Sequence, residues 1–179
     1  MKPQLLIEQA GDSNALELVS LARTSRRLHR PWVYLQQHAR GWATYLDRCR
    51  TGAVIGYLLR DAVTRELVGV INISEIVRGL FQSAYLGFYV HAAHARRGVM
   101  TAGLDLVLRR AFLVHRLHRL EANLQPRNQA SRLLVQRLGF RKEGFSLRYL
   151  KIGGRWRDHE RWAITREDWR ARRRDGRQR

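Results

Sequence analysis

The stretch HARRGVMTAGLDL, His94 to Leu106, sets two arginines against a glycine and then runs into a helical pattern, with Leu104, Val107, Leu108 and Ala111 at i, i+3, i+4, i+7 spacing. A helix that starts here leaves the backbone N–H groups of Gly98, Val99, Met100, Thr101 and Ala102 without intrahelical acceptors, and its dipole adds partial positive charge. Arg96 and Arg97 reinforce that charge, so the turn is a candidate anion cradle. A plain helix entry accounts for the same residues, and neither GxxxxGK[ST] nor GxGxxG is present. Further on, RLEANLQP alternates, with Leu120, Ala122 and Leu124 against Glu121, Asn123 and Gln125. Glu121 is the carboxylate of the polar face, either a proton acceptor or the ion-pair partner of Arg119 or Arg148. Asn128 and Ser131 then stand as N-x-x-S at a helix start, where a cap and its first-turn companion are the simplest roles.

These residues need elements to hold them. QLLIEQA (Gln4–Ala10) reads as a strand, and Asp12 or Ser13 caps a helix to about His29, which Arg30-Pro31 interrupts. A second helix is predicted from about Val33 to Arg50, with Gly52 ending it. Strands follow at Ala53–Asp61, Glu66–Val77 and Ser83–Val90. In the last of these, Ala84, Leu86, Phe88 and Val90 share one face and Ser83, Tyr85, Gly87 and Tyr89 the other. An interior glycine there marks a bulge or a close backbone approach by another group. The helix after Gly98, the Glu121 strand, a short helix from Asn128 closed by Gly139, and two strands flanking Gly153-Gly154 complete the order β-α-α-β-β-β-α-β-α-β-β. This is a mixed α/β class, unlike a regular doubly wound repeat.

Composition bounds the rest. A chain of 179 residues, 45% apolar, has room for one compact domain. No segment reads as a signal peptide or a membrane span, so a cytoplasmic protein without membrane contact is expected. The lone Cys49 reads as a buried thiol without a chemical role. The histidines suggest no metal: His91 and His94 flank the glycine turn, and His115 and His118 lack a carboxylate in register. The net charge of +19 is the unusual number. The tail Arg170–Arg179 carries six arginines and one aspartate and is expected to be a flexible basic extension, yet the 28 basic and 14 acidic residues of the remainder still leave +14. Basicity on that scale suits RNA or a nucleotide cofactor, and an arginine-rich solvated surface is the plainer account.

Strand, basic glycine turn, helix, strand and N-capped helix in this order resemble the GCN5-related N-acetyltransferases. The family's turn pattern, Gln or Arg, two variable residues, Gly, one variable residue, then Gly or Ala, falls on Ala95 to Met100, with Ala95 and Met100 departing from it. Downstream, VGVINISEIVRG, SAYLGFYV, HRLEANLQPRNQASRLLVQRLGFRKEG and YLKIGGRWRDH resemble the ribosomal-protein-alanine N-acetyltransferases of the RimJ and RimL type, RimJ most of all, over about Val68–His159. The resemblance implies one N-acetyltransferase domain over residues 1–169, with a mostly antiparallel twisted sheet of about seven strands, helices on both faces and splayed central strands. It implies acetyl-CoA as cosubstrate and no metal, with the pyrophosphate in the turn at Arg96, Arg97, Gly98, Val99, Met100, Thr101 and Ala102.

The same resemblance places an oxyanion-binding N–H near Tyr89 or Val90, where the strand pairs with pantetheine, and makes Glu121 the base, directly or through water. It sets Asn128 against the pantetheine and Ser131 near the sulfur as the acid, since Gln136 stands where some relatives carry a tyrosine. Trp32 matches a position that walls the acceptor cleft, or is simply an aromatic anchor, and Tyr149 with Arg155-Trp156-Arg157 lines the other wall. An α-amine is roughly one-tenth neutral at pH 7 and a lysine below about a thousandth, so a single glutamate suffices for an N-terminus. The expected activity is direct acetyl transfer to the N-terminal α-amine of a ribosomal protein, with rRNA contact through the basic surface and tail, as a monomer or homodimer. The alternatives are acetylation of a small amine or antibiotic, or a non-catalytic RNA- or ribosome-associated protein on the same fold.

Overall fold

The computed structural model describes residues 3–175. Seven strands, β1 (Leu5–Gln9), β2 (Val54–Asp61), β3 (Leu67–Val77), β4 (Ser83–Val90), β5 (Arg119–Leu124), β6 (Arg141–Ile152) and β7 (Arg155–Thr165), form one sheet in the order β1-β2-β3-β4-β5-β7-β6. Every neighbouring pair is antiparallel except β4 and β5. The mixed α/β class, the strand number and the helices on both faces are as expected.

The first two helical stretches differ from the sequence reading. The first breaks at Ser25 into α1 (Ala15–Thr24) and α2 (Arg26–His29). Ser25 is fully buried, and its hydroxyl accepts from the Ala92 N–H at 2.9 Å, a bond to a distant strand end. The second, α3, spans only Ala39–Arg50. Residues 33–38 stay irregular because side chains take up their backbone groups: Trp42 Nε1 donates to Gln36 O, Arg23 Nε to Gln37 O, and Gln37 Nε2 to Leu35 O. Leu35 still packs beside the core.

One cluster, with Leu18, Leu21, Trp42 and Leu46, seats α1 and α3 on the face of the sheet that presents Leu58, Val70 and Tyr89. On the other face α4 (Val99–Leu113), α5 (Gln129–Arg137) and α6 (Arg166–Asp175) cover Ile71, Ala84, Leu86, Leu120 and Ala122. Together the clusters remove most branched and aromatic side chains from water, the dominant favourable contribution to the fold. Close packing of α4 on β2 depends on Gly103, where a β-carbon would collide with Leu59.

Helix α6 corrects the expected flexible tail. Arg170–Asp175 continue a helix whose Trp169 is buried with its ring centroid 5.5 Å from that of Phe112. Arg172 and Arg173 each reach Asp105 at 3.4 Å. The start signal lies in Thr165-x-x-Asp168: the Thr165 hydroxyl accepts from the Asp168 N–H, and the Asp168 carboxylate accepts from the Thr165 N–H, a capping box. Gly176–Arg179, the rest of the expected tail, lie outside the described residues.

Candidate active site

The parallel pair β4–β5 holds for three positions, Ser83↔Arg119, Ala84↔Leu120 and Tyr85↔Glu121, and then ends while both strands run on. The sheet therefore opens as a V, with Glu121 and Tyr85 at its apex on the face that carries α1 and α3. Antiparallel alternation decides which backbone groups look into the opening. His91 N–H donates to Val68 O, which continues a ladder whose closely bonded pairs fall at 91/68, 89/70 and 87/72. The N–H groups of Phe88 and Val90 therefore point to the unpaired edge. Of the two expected oxyanion donors, Val90 has an outward N–H and Tyr89 does not, because its N–H belongs to the ladder with Val70.

The Tyr89 ring instead turns into the α1–α3 core, edge-on to His29, with its hydroxyl buried and without a hydrogen-bond partner among the described residues. Burial raises that hydroxyl's pKa. Gly87 pairs regularly with Asn72 without a bulge, and a β-carbon there would meet nothing within 4 Å. Asn123, two residues beyond Glu121, has a buried Oδ1 with no hydrogen-bond partner among the described residues. An orphaned acceptor, outward N–H groups and open space at Gly87 fit a polar chain entering the V.

At the mouth, Gly98 is the N-cap of α4 with φ +77°, a left-handed conformation that suits glycine, and Arg96 also has positive φ at 62°. The N–H groups of Gly98, Val99, Met100 and Thr101 have no backbone acceptor among the described residues. Ala102 departs from expectation: its N–H already donates to Gly98 O at 3.0 Å as the first bond of the helix. Arg96 and Arg97 are exposed beside these donors. Met100 turns its side chain inward, its Cε 3.1 Å from where a β-carbon on Gly69 would lie, so its departure from the family's small residue leaves the N–H outward. The turn thus has the donors and charge to hold a pyrophosphate.

Around the apex the carboxylate is not free. Arg119 Nε donates to Glu121 Oε1 at 2.8 Å, and the same guanidinium binds Glu143, so Glu121 takes part in the ion pair that was its alternative role. Glu121 Oε2 has no hydrogen bond among the described residues. The Glu143 carboxyl is held below its ordinary range by the Arg119 hydrogen bond, and the guanidinium's own pKa is raised in return. Tyr149 OH donates to Tyr85 OH at 3.2 Å, and burial, then that bond, pushes its pKa up to about 12. Tyr149 thus stands at the apex. Trp32 is brought to the far end of β5 by its backbone, whose carbonyl accepts from Gln125 Nε2 at 3.1 Å. The next turn of that loop rests on the β6–β7 hairpin, where a β-carbon on Gly153 would lie 2.6 Å from the Tyr34 ring.

Asn128 caps α5, its side chain accepting from the Ser131 N–H at 3.2 Å, and Ser131 is half-buried with its Oγ unbonded among the described residues. Two residues that motif reading missed hold the end of β4: His29 Nε2 donates to Val90 O at 2.9 Å, and Ser25 receives the Ala92 N–H. No local spacing could have found them, because their partners lie more than sixty residues away. Two histidines do gain carboxylates. Glu66 meets His94 at 3.2 Å and Glu167 meets His118 at 2.9 Å. Glu66, His91 and His94 offer ligand atoms within 4.8 Å of one another, but His91 is already bonded to Thr24 and to the Ala93 N–H. Cys49 is half-buried, its thiol pKa raised by that burial.

Residues 4–141 match the family model of the acetyltransferase (GNAT) domain. The chain belongs to the GNAT acetyltransferases. Members of this family use acetyl-CoA. The chain is 32% identical over 174 residues, 93% of its length and 90% of the relative's, to the [ribosomal protein uS5]-alanine N-acetyltransferase of Escherichia coli. Among solved structures it superposes on Mycobacterium smegmatis RimJ in complex with CoA-disulfide, with TM-score 0.83 and 27% identity, covering 92% of this chain and 83% of that one. A spermidine N-acetyltransferase SpeG mutant from Vibrio cholerae shares the fold at TM-score 0.79 and 19% identity, over 95% and 98% of the two chains.

Proposed function

We propose that this GNAT acetyltransferase transfers acetyl directly to the N-terminal α-amine of a ribosomal protein in the cytoplasm, with alanine as the acceptor residue. The observation that carries the reading is the opening of β4 from β5 just past Tyr85↔Glu121, with a carboxylate at the apex and free helix donors at the mouth. Acetyl-CoA supplies the acetyl group as a thioester. Arg96, Arg97 and the N–H groups of Gly98 to Thr101 hold its pyrophosphate, and Asn128 flanks the pantetheine while capping α5. The Val90 N–H receives the carbonyl oxygen as it gains charge. Glu121 takes the proton of the attacking amine through Oε2 or a water, while Arg119 fixes its other oxygen. Ser131 returns a proton to the thiolate. Trp32 and Tyr149 wall the acceptor cleft.

Two considerations support an α-amine on a ribosomal protein. Its low basicity asks little of a glutamate that is already ion-paired. The Escherichia coli relative acts on ribosomal protein uS5 at alanine. A polycationic small amine finds less support, because Arg119 neutralises one of the two carboxylates at the apex.

Intact-mass analysis of ribosomal proteins incubated with the enzyme and isotopically labelled acetyl-CoA tests the acceptor; one protein should gain a single labelled acetyl at its N-terminus. Glu121→Gln should lower kcat at pH 7 by about a hundredfold or more while acetyl-CoA KM changes by no more than about threefold. That deficit should shrink above about pH 8, where the amine deprotonates unaided. Absence of thiol release with every N-terminal peptide and ribosomal protein tried would defeat the reading.

A further inference from the structure

The end of the sheet opposite the V carries a second basic site. Three segments meet there, where β4 and β5 are still paired: the β3–β4 turn, the α4–β5 turn and the start of α6. Backbone bonds stitch them together: His118 N–H and Arg119 N–H both donate to Gln82 O, Arg166 N–H donates to His118 O, and Arg78 reaches His115 O at 2.6 Å. The segments border an open groove of about 570 Å³ whose lining includes Arg78, Arg116, Arg166 and Arg170 and, among the described residues, no carboxylate. Arg166 and Arg170, one helical turn apart, present their side chains on the same face of α6. The nearest acid in sequence, Glu167, is engaged by His118 and lies 3.7 Å from Arg166. Arg116 and Arg170 are exposed and have no ion-pair partner among the described residues.

The turns that supply the groove also carry exposed apolar side chains. Phe81 is 71% exposed and Leu80 wholly so, in the same turn that supplies Arg78 and Gly79 to the groove, and Leu113 and Val114 are exposed at the end of α4. Guanidinium forks match phosphate oxygens bidentately. Phe81, exposed three residues on from Arg78, offers the kind of ring on which single-strand binders stack, since every base has a π-face. Arginines gathered in an open groove, with a single exposed aromatic in a neighbouring turn, suit a strand, whereas a lipid surface calls for a broad basic and apolar face.

We propose that this groove binds single-stranded RNA, with Arg78, Arg116, Arg166 and Arg170 on the phosphates and Phe81 stacked on a base, while the acetyl-transfer site at the other end of the sheet stays free. The inference deepens the ribosomal reading above, because an acceptor held on rRNA would be presented to an enzyme anchored on the same RNA.

The test is fluorescence anisotropy of a labelled ten-nucleotide single-stranded RNA with the full-length protein across a salt series. In the wild type, log K falls linearly with log salt. Arg116→Glu/Arg170→Glu should weaken binding at least tenfold and reduce the slope by about 1.4, two phosphate contacts at about 0.7 each. Phe81→Ala should cost about fivefold or more with the slope unchanged. Arg116→Gln/Arg170→Gln, checked by circular dichroism, keeps the test usable if charge reversal unfolds the protein. Acetylation of a free N-terminal peptide should be unchanged in all three variants, while acetylation of the same acceptor on RNA-containing particles falls.

A wild type that does not bind RNA at 100 mM salt overturns the proposal. So does an equal loss from Arg26→Glu/Arg27→Glu, which would reduce the effect to net charge, or capture by phosphatidylglycerol vesicles in place of RNA. Failure of the acetyl-transfer reading shows separately, as absence of peptide acetylation by a wild type that binds RNA.

Discussion

Gly87 separates what the fold needs from what the site needs. It sits in the interior of β4, regularly paired with Asn72, exposed, on the same face as Tyr85 and Tyr89. Its two chain neighbours aside, a β-carbon there meets no atom of the described residues within 4 Å, so the strand has room for a side chain. Glycine in a strand interior is less stable than alanine by roughly 0.5–1 kcal/mol, chiefly through backbone entropy. Gly87→Ala should therefore raise Tm by about 1–4 °C in a chain of this size. Gly87→Leu should melt no lower than the wild type while projecting a branched side chain into the face proposed for the meeting of acceptor and thioester. Excluding the bound chain by even 2.7 kcal/mol lowers kcat/KM about a hundredfold. Differential scanning fluorimetry and a thiol-release assay on the two variants give both numbers. Retention of near-wild-type kcat/KM by a stable Gly87→Leu would refute placement of the transfer site in the V, and a large fall in Tm would refute the reading that the space is unoccupied by the chain itself.

Two further outcomes follow from packing and from burial. Trp169→Ala, removing a ring that is 4% exposed and packed on Phe112, should cost about 3–5 kcal/mol and lower Tm by roughly 6–20 °C; a change of less than 2 °C would show that α6 is not part of the folded core. His29 is held neutral: burial lowers its pKa, and the hydrogen bond to Val90 O only partly opposes this. A depressed folded value means that its contribution is complete above the unfolded pKa near 6.5 and is lost as pH falls through the lower folded value. Between pH 7.5 and 5.5 the Tm of the wild type should thus drop more than that of His29→Gln, which retains a donor for Val90 O; parallel curves in thermal melts at each pH would count against it.

Local patterns alone were enough for the strands and for α4 and α5, because burial on one face imposes period 2 or 3.6 on the residues themselves. Alternation in RLEANLQP located Glu121 on the polar face, and one glycine between basic residues and a helix located the candidate anion turn. Helix periodicity did not announce that α1 breaks at Ser25 or that α3 begins only at Ala39, since the bonds responsible include distant ones from Ala92 and Arg23 beside the nearer ones from Trp42 and Gln37. Helix α6 was not read from the sequence although a capping box starts it, because its run of arginines carries so little apolar surface that only the docking of Trp169 on Phe112 makes it a helix of the core.

Residue types and their parity along each strand were determined by the sequence itself: a basic glycine turn, a carboxylate on a polar face, an asparagine cap ahead of a serine. Which of these meet was decided by tertiary structure. The three-residue parallel pairing of β4 with β5 places Glu121 at the apex, hands the Val90 N–H to the opening and commits that of Tyr89 to β3. The first helical bond closes off Ala102. Arg119 ties Glu121 to Glu143, more than twenty residues away. Pairing partners and hydrogen-bond directions depend on strands brought together from distant parts of the chain, and no spacing within one strand encodes them.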